Sequence, residues 1–451
     1  MHGTERGGNR MKLMMGLAIW SAAALSAAGA WAQALPTAEP DMVGMSSERL
    51  DRIGTAFEAE VGRGELPGAV IMVARDGQLV YSAAVGELAP EADTAMVDDA
   101  IFRIYSMTKP LTSVAALILM EEGKLQLSDP VHKFLPEFEG LEVSAGDDAG
   151  QGAEPTDRPM TVQDLLRHTS GLAYGELTQN EAVKAAYAEA GAFNPDGMAF
   201  DARGLSGDEQ VAGLGRAPLA RQPGTQWEYS LSTDVLGRVV EKVSGQRLGD
   251  FLEERVFGPL QMEDSGFHVP ENAATRLAEP FATDPGSQEP LPMIDVSQRP
   301  ANDSGGAGAV SSAGDYLRFA QMLANDGELD GVRILSPTTV RLMASDHLGE
   351  IDPGAGPGQL LLGSPGYTFG LGVMVREDDG IASVPGAQGQ FMWAGYGGTY
   401  FWVDPEYDLV TVFMSQRAGP SRAYYRRHVM QLVYQAITGE APNESQEAAL
   451  Q

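Results

Sequence analysis

Apolar positions along this chain follow two rhythms, and the rhythms are unevenly distributed. Residues 47–61 carry Leu50, Ile53, Phe57 and Val61 at helical spacing, which predicts an amphipathic helix. Residues 69–74 and 78–85 are apolar, β-branched runs separated by Asp76-Gly77, a hairpin signal. Near the other end, residues 399–403 and 409–414 flank Asp404-Pro405-Glu406-Tyr407-Asp408 and predict a second hairpin. Residues 421–437 predict a closing helix, with Tyr425, Val429, Leu432, Val433 and Ala436 on one face. The middle of the chain differs. Helical patterns at 111–122, 162–167, 234–243 and 316–324 alternate with Gly-, Pro- and Asp-rich loops such as 144–159 and 284–300. Strands at both ends and helices between them predict an α/β (α+β) fold. One antiparallel sheet is built from both termini and flanked by helices, with a mostly helical lobe inserted at about 107–345.

Composition narrows the function classes. With 451 residues, 43% hydrophobic and 21% charged, the chain can bury a large core. Its formal net charge of −31 repels phosphate backbones and anionic lipid, so binding to nucleic acid or to membrane surfaces is disfavoured. The charge is spread along the chain and also reads simply as a solubilising surface. There is no cysteine, hence no disulfide, no thiolate metal site and no cysteine nucleophile. The histidines form no H-x-x-x-H or H-E-x-x-H pair, so no zinc site is expected, and no cofactor is called for.

The N-terminal stretch has its own character. Arg10 and Lys12 precede an apolar run at 13–28, followed by Ala30-Trp31-Ala32. This reads as a signal peptide over residues 1–32, with a mature start at Gln33 and an exported, periplasmic or secreted protein. A membrane anchor is the competing reading, though the run is short and ends in alanines. Residues 33–45 read as a leader, 46–437 as the folded domain and 438–451 as a tail.

Three short motifs could carry chemistry. In Ser106-Met107-Thr108-Lys109, Pro110 fits only the first turn of a helix, which places Ser106 near that helix's N-terminus. Positions three apart share a helix face, so Ser106 and Lys109 can meet. A serine hydroxyl needs an adjacent base, and an amine can be one where burial and a helix N-terminus disfavour its charged form. A chance S-x-x-K on a solvated helix is the alternative, but no other serine here has a lysine three residues on. Tyr229-Ser230-Leu231 follows Gln222-Pro223-Gly224-Thr225. Its tyrosine can shuttle a proton beside a lysine, or simply pack or cap. Trp393-Ala394-Gly395-Tyr396-Gly397-Gly398 precedes the last hairpin. Its small residues allow backbone N–H groups to approach a ligand, or make a tight bend at a sheet edge. No serine sits in G-x-S-x-G, so an α/β-hydrolase elbow is absent. Asp303-Ser304-Gly305-Gly306 imitates a trypsin-like serine box without the matching histidine box and reads as a loop. His168, closing a helix before a turn, reads as structural.

The three motifs fall in the order and approximate spacing of the boxes of the serine β-lactamase and penicillin-recognising family. The chain resembles its class C branch, and most closely that branch's esterases. The resemblance runs from about 46 to 437. Supporting stretches are Glu121-Glu122-Gly123-Lys124-Leu125, Asp129-Pro130, His168 to Leu172, Gly305 to Asp315, and Asp404-Pro405. It implies an acylated nucleophile at Ser106, a partner at Lys109 and a general base and acid at Tyr229. It implies an oxyanion hole from the backbone N–H groups of Ser106 and Tyr396, and substrate contacts from Trp393, Ala394, Gly395 and Leu231. Two departures matter. β-Lactamases usually carry Tyr-x-Asn in the second box, where Leu231 stands here. They usually carry Lys-Thr-Gly in the third, where Trp393 replaces the cation. A pocket without a fixed positive charge disfavours anionic β-lactams and suits neutral esters. The resemblance therefore implies a carboxylesterase for short or medium acyl chains, acting on a small ester or amide. A β-lactamase, a D-amino-acid or cell-wall peptidase, an acyltransferase, and a catalytically silent binding protein on the same fold are the alternatives. The loops at 176–215 and 350–390 are expected to shape the pocket. Oligomeric state is not legible.

Overall fold

The computed structural model describes residues 35–148, 152–192, 198 and 201–439. The predicted signal peptide, residues 1–32, lies outside them, as does most of the predicted tail.

The chain opens its folded part with helix α1 (Ser47–Gly62), capped where the Ser46 side chain accepts from the Arg49 N–H. Strands β1 (Gly68–Arg75) and β2 (Gln78–Ala89) follow, then β3 (Thr94–Ala95) and β4 (Ile101–Arg103). The β1–β2 turn is Asp76-Gly77, with φ of 51° and 71°, the doubly left-handed turn that the dipeptide favours. Next come α2 (Thr108–Glu121), α3 (Val162–Leu166) and α4 (Ser232–Ser244). They are followed by β5 (Val310–Ser312), paired with β4, and α5 (Ala313–Ala324). The last part holds β6 (Tyr367–Phe369), β7 (Met374–Arg376), β8 (Phe391–Ala394), β9 (Tyr400–Asp404) and β10 (Leu409–Ser415), closed by α6 (Arg422–Tyr434).

The main sheet has eight strands in the order β6-β7-β8-β9-β10-β1-β2-β3, all antiparallel. The two chain ends meet at its centre, where β1 pairs with β10 from Ala69↔Ser415 to Arg75↔Leu409. All eight β1 residues are buried. Helices α1 and α6 pack together, with α1 against β2, while α5 packs against β1, β9 and β10. A strand covered on both faces reads as a continuous apolar run rather than an alternation, as 69–74 does. Helix α5 falls within the stretch read as the helical lobe, yet it is a flank of the sheet. Residues 35–45, read as a leader, are docked. Thr37 bridges to Leu79, Met45 bridges to Ile437, and Leu35 and Met45 are buried.

The lobe is organised by α2. It is buried on nearly every side and packs against α4, which in turn packs against α3. A helix apolar all round belongs inside. Its N-terminal end lies against the end of β8, and this junction positions the site.

Candidate active site

Ser106 sits in a single 3-10 turn, Tyr105–Met107, between β4 and α2. Tyr105 has a φ of 45°, a left-handed conformation that costs a non-glycine residue roughly 1–3 kcal/mol and clusters at functional sites. Contacts hold it there. Its hydroxyl donates to Met293 Sδ at 2.9 Å and accepts from the Ile294 N–H at 3.2 Å. Its ring meets that of Tyr396 edge-on at 5.5 Å. The reversal leaves Ser106 at the wall of a cavity of about 360 Å³.

Lys109 is fully buried. Its Nζ donates to the Gly306 carbonyl at 2.8 Å, the Tyr174 hydroxyl at 3.0 Å and Ser106 Oγ at 3.3 Å. It also lies 4.6 Å from the centre of the Tyr229 ring, within cation–π range. The Tyr229 ring is wedged against those of His168 at 5.0 Å, Tyr174 at 5.2 Å and Trp393 at 5.4 Å. Its hydroxyl is buried, lines the cavity and has no partner among the described residues. The Ser106–Lys109 pair, close in the chain, is thus joined by the sequence-distant Tyr229, with Ser106 and Tyr229 lining the cavity and Lys109 buried against both.

Several supporting residues escaped the sequence reading. Burial drives the Tyr174 hydroxyl well above its usual range, so it stays a neutral phenol beside Lys109. Asp234, on α4 below Tyr229, accepts from Ser304 Oγ at 2.5 Å and from the Gly306 N–H at 3.2 Å. Burial pushes its carboxyl up, against the pull of Lys109 and these donors. Asp234 therefore fixes the loop whose Gly306 carbonyl holds Lys109. A Cβ at Gly306 would lie 2.3 Å from that carboxylate, which is why the loop needs glycine there. Asp303-Ser304-Gly305-Gly306 is a loop, as read, but a purposeful one. His168 closes the turn after α3 with a φ of 56°. Its Nδ1 lies 3.1 Å from Ser230 Oγ, and burial holds the ring neutral. It buttresses Tyr229.

The third motif forms the opposite wall. Trp393, Ala394, Gly395 and Tyr396 all line the cavity. Gly395 comes against the segment before the nucleophile, where a Cβ would meet the Ile104 carbonyl oxygen at 2.3 Å. Leu231 is elsewhere. It is buried in the main core just before α4 and is not part of this lining.

One expectation needs correction. A pocket without a fixed positive charge followed from Trp393 replacing a cation, but Arg422 lines the same cavity. It comes from the first turn of α6, which tertiary packing delivers beside β8. Its Nη1 donates to the Tyr396 carbonyl at 3.1 Å, and its guanidinium lies 4.8 Å from that ring's centre. Arg426, one turn on, donates to the carbonyls of Gly395 and Leu361, each at 3.0 Å. Burial and Arg422 lower its affinity for a proton, to a pKa of about 9.

The β-lactamase family model matches residues 53–435, most of the chain. The chain belongs to the beta-lactamase family. Esterase EstB of Burkholderia gladioli is 34% identical over 388 residues, covering 81% of this chain and 90% of its own. Lovastatin esterase of Penicillium rubens is 33% identical over 308 residues, covering 65% and 72%. Among solved structures, EstCE1, described as a hydrolase with promiscuous acyltransferase activity, superposes with a TM-score of 0.71. It is 27% identical and covers 86% of this chain and 98% of its own. The large antiparallel sheet flanked by helices matches these structural neighbours, and the family with its esterase members supports a hydrolase.

Proposed function

We propose that this beta-lactamase family member hydrolyses carboxylic esters of short or medium acyl chain through an acyl-enzyme on Ser106. The observation that carries the reading is the cavity itself. Ser106 Oγ is within reach of the Lys109 amine, and that amine lies 4.6 Å from the centre of the Tyr229 ring, whose hydroxyl has no partner among the described residues. As Ser106 Oγ attacks the ester carbonyl, its proton passes to Lys109. The negative charge developing on the carbonyl oxygen falls to the backbone N–H groups of Ser106 and Tyr396. Tyr229 hands a proton to the departing alkoxide, and water then releases the acid through the same groups in reverse. Trp393 supplies the apolar wall against which the acyl or alkyl chain packs. Esterase EstB and lovastatin esterase support the ester as the substrate bond. EstCE1, with its promiscuous acyltransferase activity, supports acyl transfer as a side reaction of the same intermediate.

The test is turnover of p-nitrophenyl acetate and butyrate by the purified protein and by Ser106→Ala. Loss of the nucleophile is expected to lower kcat by at least about a hundredfold. It should also abolish labelling by a fluorophosphonate probe. A Ser106→Ala protein that keeps its activity refutes the assignment, and faster hydrolysis of nitrocefin than of either ester would replace it with a β-lactamase.

A further inference from the structure

The turn that presents Ser106 is built on an unfavourable choice of residue. Tyr105 holds a φ of 45°, a conformation that glycine or asparagine adopts at little cost and a bulky residue avoids. A tyrosine kept at such a position points to a role for its side chain. That side chain is fully buried and lies in the wall of the cavity. It is held in two places. At its tip, the hydroxyl accepts from the Ile294 N–H at 3.2 Å and donates to Met293 Sδ at 2.9 Å. Ile294 is itself fixed, because Arg103 Nε donates to its carbonyl at 2.8 Å. Along its side, the ring meets the third motif. It lies edge-on to the Tyr396 ring at 5.5 Å, and a Cβ on Gly397 would come within 3.0 Å of it. Glycine at 397 therefore lets the Tyr105 ring lie directly against that backbone.

One residue thus stands between the two N–H groups proposed to share the oxyanion. The Ser106 N–H belongs to the peptide unit that begins at the Tyr105 carbonyl, so its direction follows from the Tyr105 backbone angles. The Tyr396 N–H belongs to the backbone beside the Tyr105 ring. Building on the acyl-enzyme reading above, we infer that Tyr105 is a positioning residue that keeps these two N–H groups aimed at one point. The ring sets their spacing, and the anchorage of the hydroxyl at Ile294 stops the ring from swinging. Tyr105 acts through the two donors and takes no part in bond making. Its contribution is therefore to the charged transition state rather than to substrate binding.

The experiment compares Tyr105→Asn and Tyr105→Phe with wild type. Asparagine suits the left-handed backbone, so the first variant keeps the turn and removes the ring. The second keeps the ring and removes its anchor. The readouts are turnover of p-nitrophenyl butyrate and inhibition by n-butylboronic acid, whose tetrahedral adduct with a serine hydroxyl mimics the transition state. Fluorophosphonate labelling carried to completion counts the active sites, so that unfolded protein does not enter kcat. Misaimed donors are expected to lower kcat about a hundredfold in Tyr105→Asn and about tenfold in Tyr105→Phe, each with KM within about threefold of wild type. The Ki of the boronic acid should rise by at least about tenfold in Tyr105→Asn. A purely structural role would lower the melting temperature or the number of active sites and leave kcat per site and Ki unmoved, and that result overturns the inference. Should Tyr105→Asn fail to fold, Tyr105→Phe decides, and kcat per site and Ki both within about twofold of wild type overturn the inference. Ser106→Ala keeps the two proposals apart. If it retains activity, the acyl-enzyme reading fails and the role of Tyr105 with it, whereas an inactive Ser106→Ala beside Tyr105 variants that match wild type refutes only the role of Tyr105.

Discussion

Gly395→Ala is the sharpest probe of how the site is assembled. The added methyl carbon would lie 2.3 Å from both the Ile104 carbonyl oxygen and Thr399 Oγ1, against about 3.4 Å for ordinary contact. The Ile104 oxygen is backbone and cannot rotate aside. The end of β8 must therefore retreat by about 1 Å from the segment that leads into Ser106. The Ser106 and Tyr396 N–H groups proposed to share the oxyanion lie on opposite sides of that contact, so the retreat separates them. A misplacement of about 1 Å costs on the order of a hundredfold in rate, and overpacking costs about 1–3 kcal/mol of stability. The variant should thus fold, with a wild-type circular dichroism spectrum and a lowered melting temperature. Its kcat for p-nitrophenyl butyrate should fall by about a hundredfold with little change in KM. A folded Gly395→Ala protein with kcat within about threefold of wild type would refute the claim that this junction sets the catalytic geometry.

Two further variants probe other parts of the structure. Tyr229→Phe removes a hydroxyl with no partner among the described residues and keeps the ring packing. Its melting temperature should stay close to wild type while esterase kcat falls about a hundredfold; a large thermal loss with activity intact would contradict the proposed proton-transfer role. Asp315 tests a buried carboxyl away from the cavity. Burial raises its pKa to about 7, although Ser265 Oγ and the Asp264 N–H donate to it. The folded state therefore binds this proton more tightly than the unfolded state. That contribution to stability is complete below about pH 4 and is lost as pH rises through 7. Asp315→Asn should lack this loss and gain on wild type in thermal unfolding at pH 8 relative to pH 5; an identical pH dependence in the two proteins would contradict it.

Elements formed by local contacts were readable in the chain. The Asp76-Gly77 hairpin, α1, α2, α4 and the last hairpin all lie within a few residues of their predicted limits. Each is specified by periodicity, a turn dipeptide or a cap. Strands β6, β7 and β8 were not readable. They have three or four residues each and fall mostly in a stretch read as loop, and only their neighbours in the sheet make them strands. The β4–β5 pair was missed for the same reason. Leu231 was misplaced in the opposite way, because its neighbour Tyr229 faces the cavity while Leu231 turns into the core.

The sequence by itself determined the nucleophile motif, its place at a helix start, the order of the three boxes and the α/β (α+β) character. Those features depend on residues close together in the chain, where spacing alone dictates which side chains share a face. Only the tertiary structure decided that Tyr174, Gly306 and Asp234 hold Lys109, and that Arg422 gives the cavity a positive wall. Those partners come from four separate segments. No local pattern marks a residue for a neighbour that folding alone brings near, and the electrostatics of a cavity is the sum over all of them.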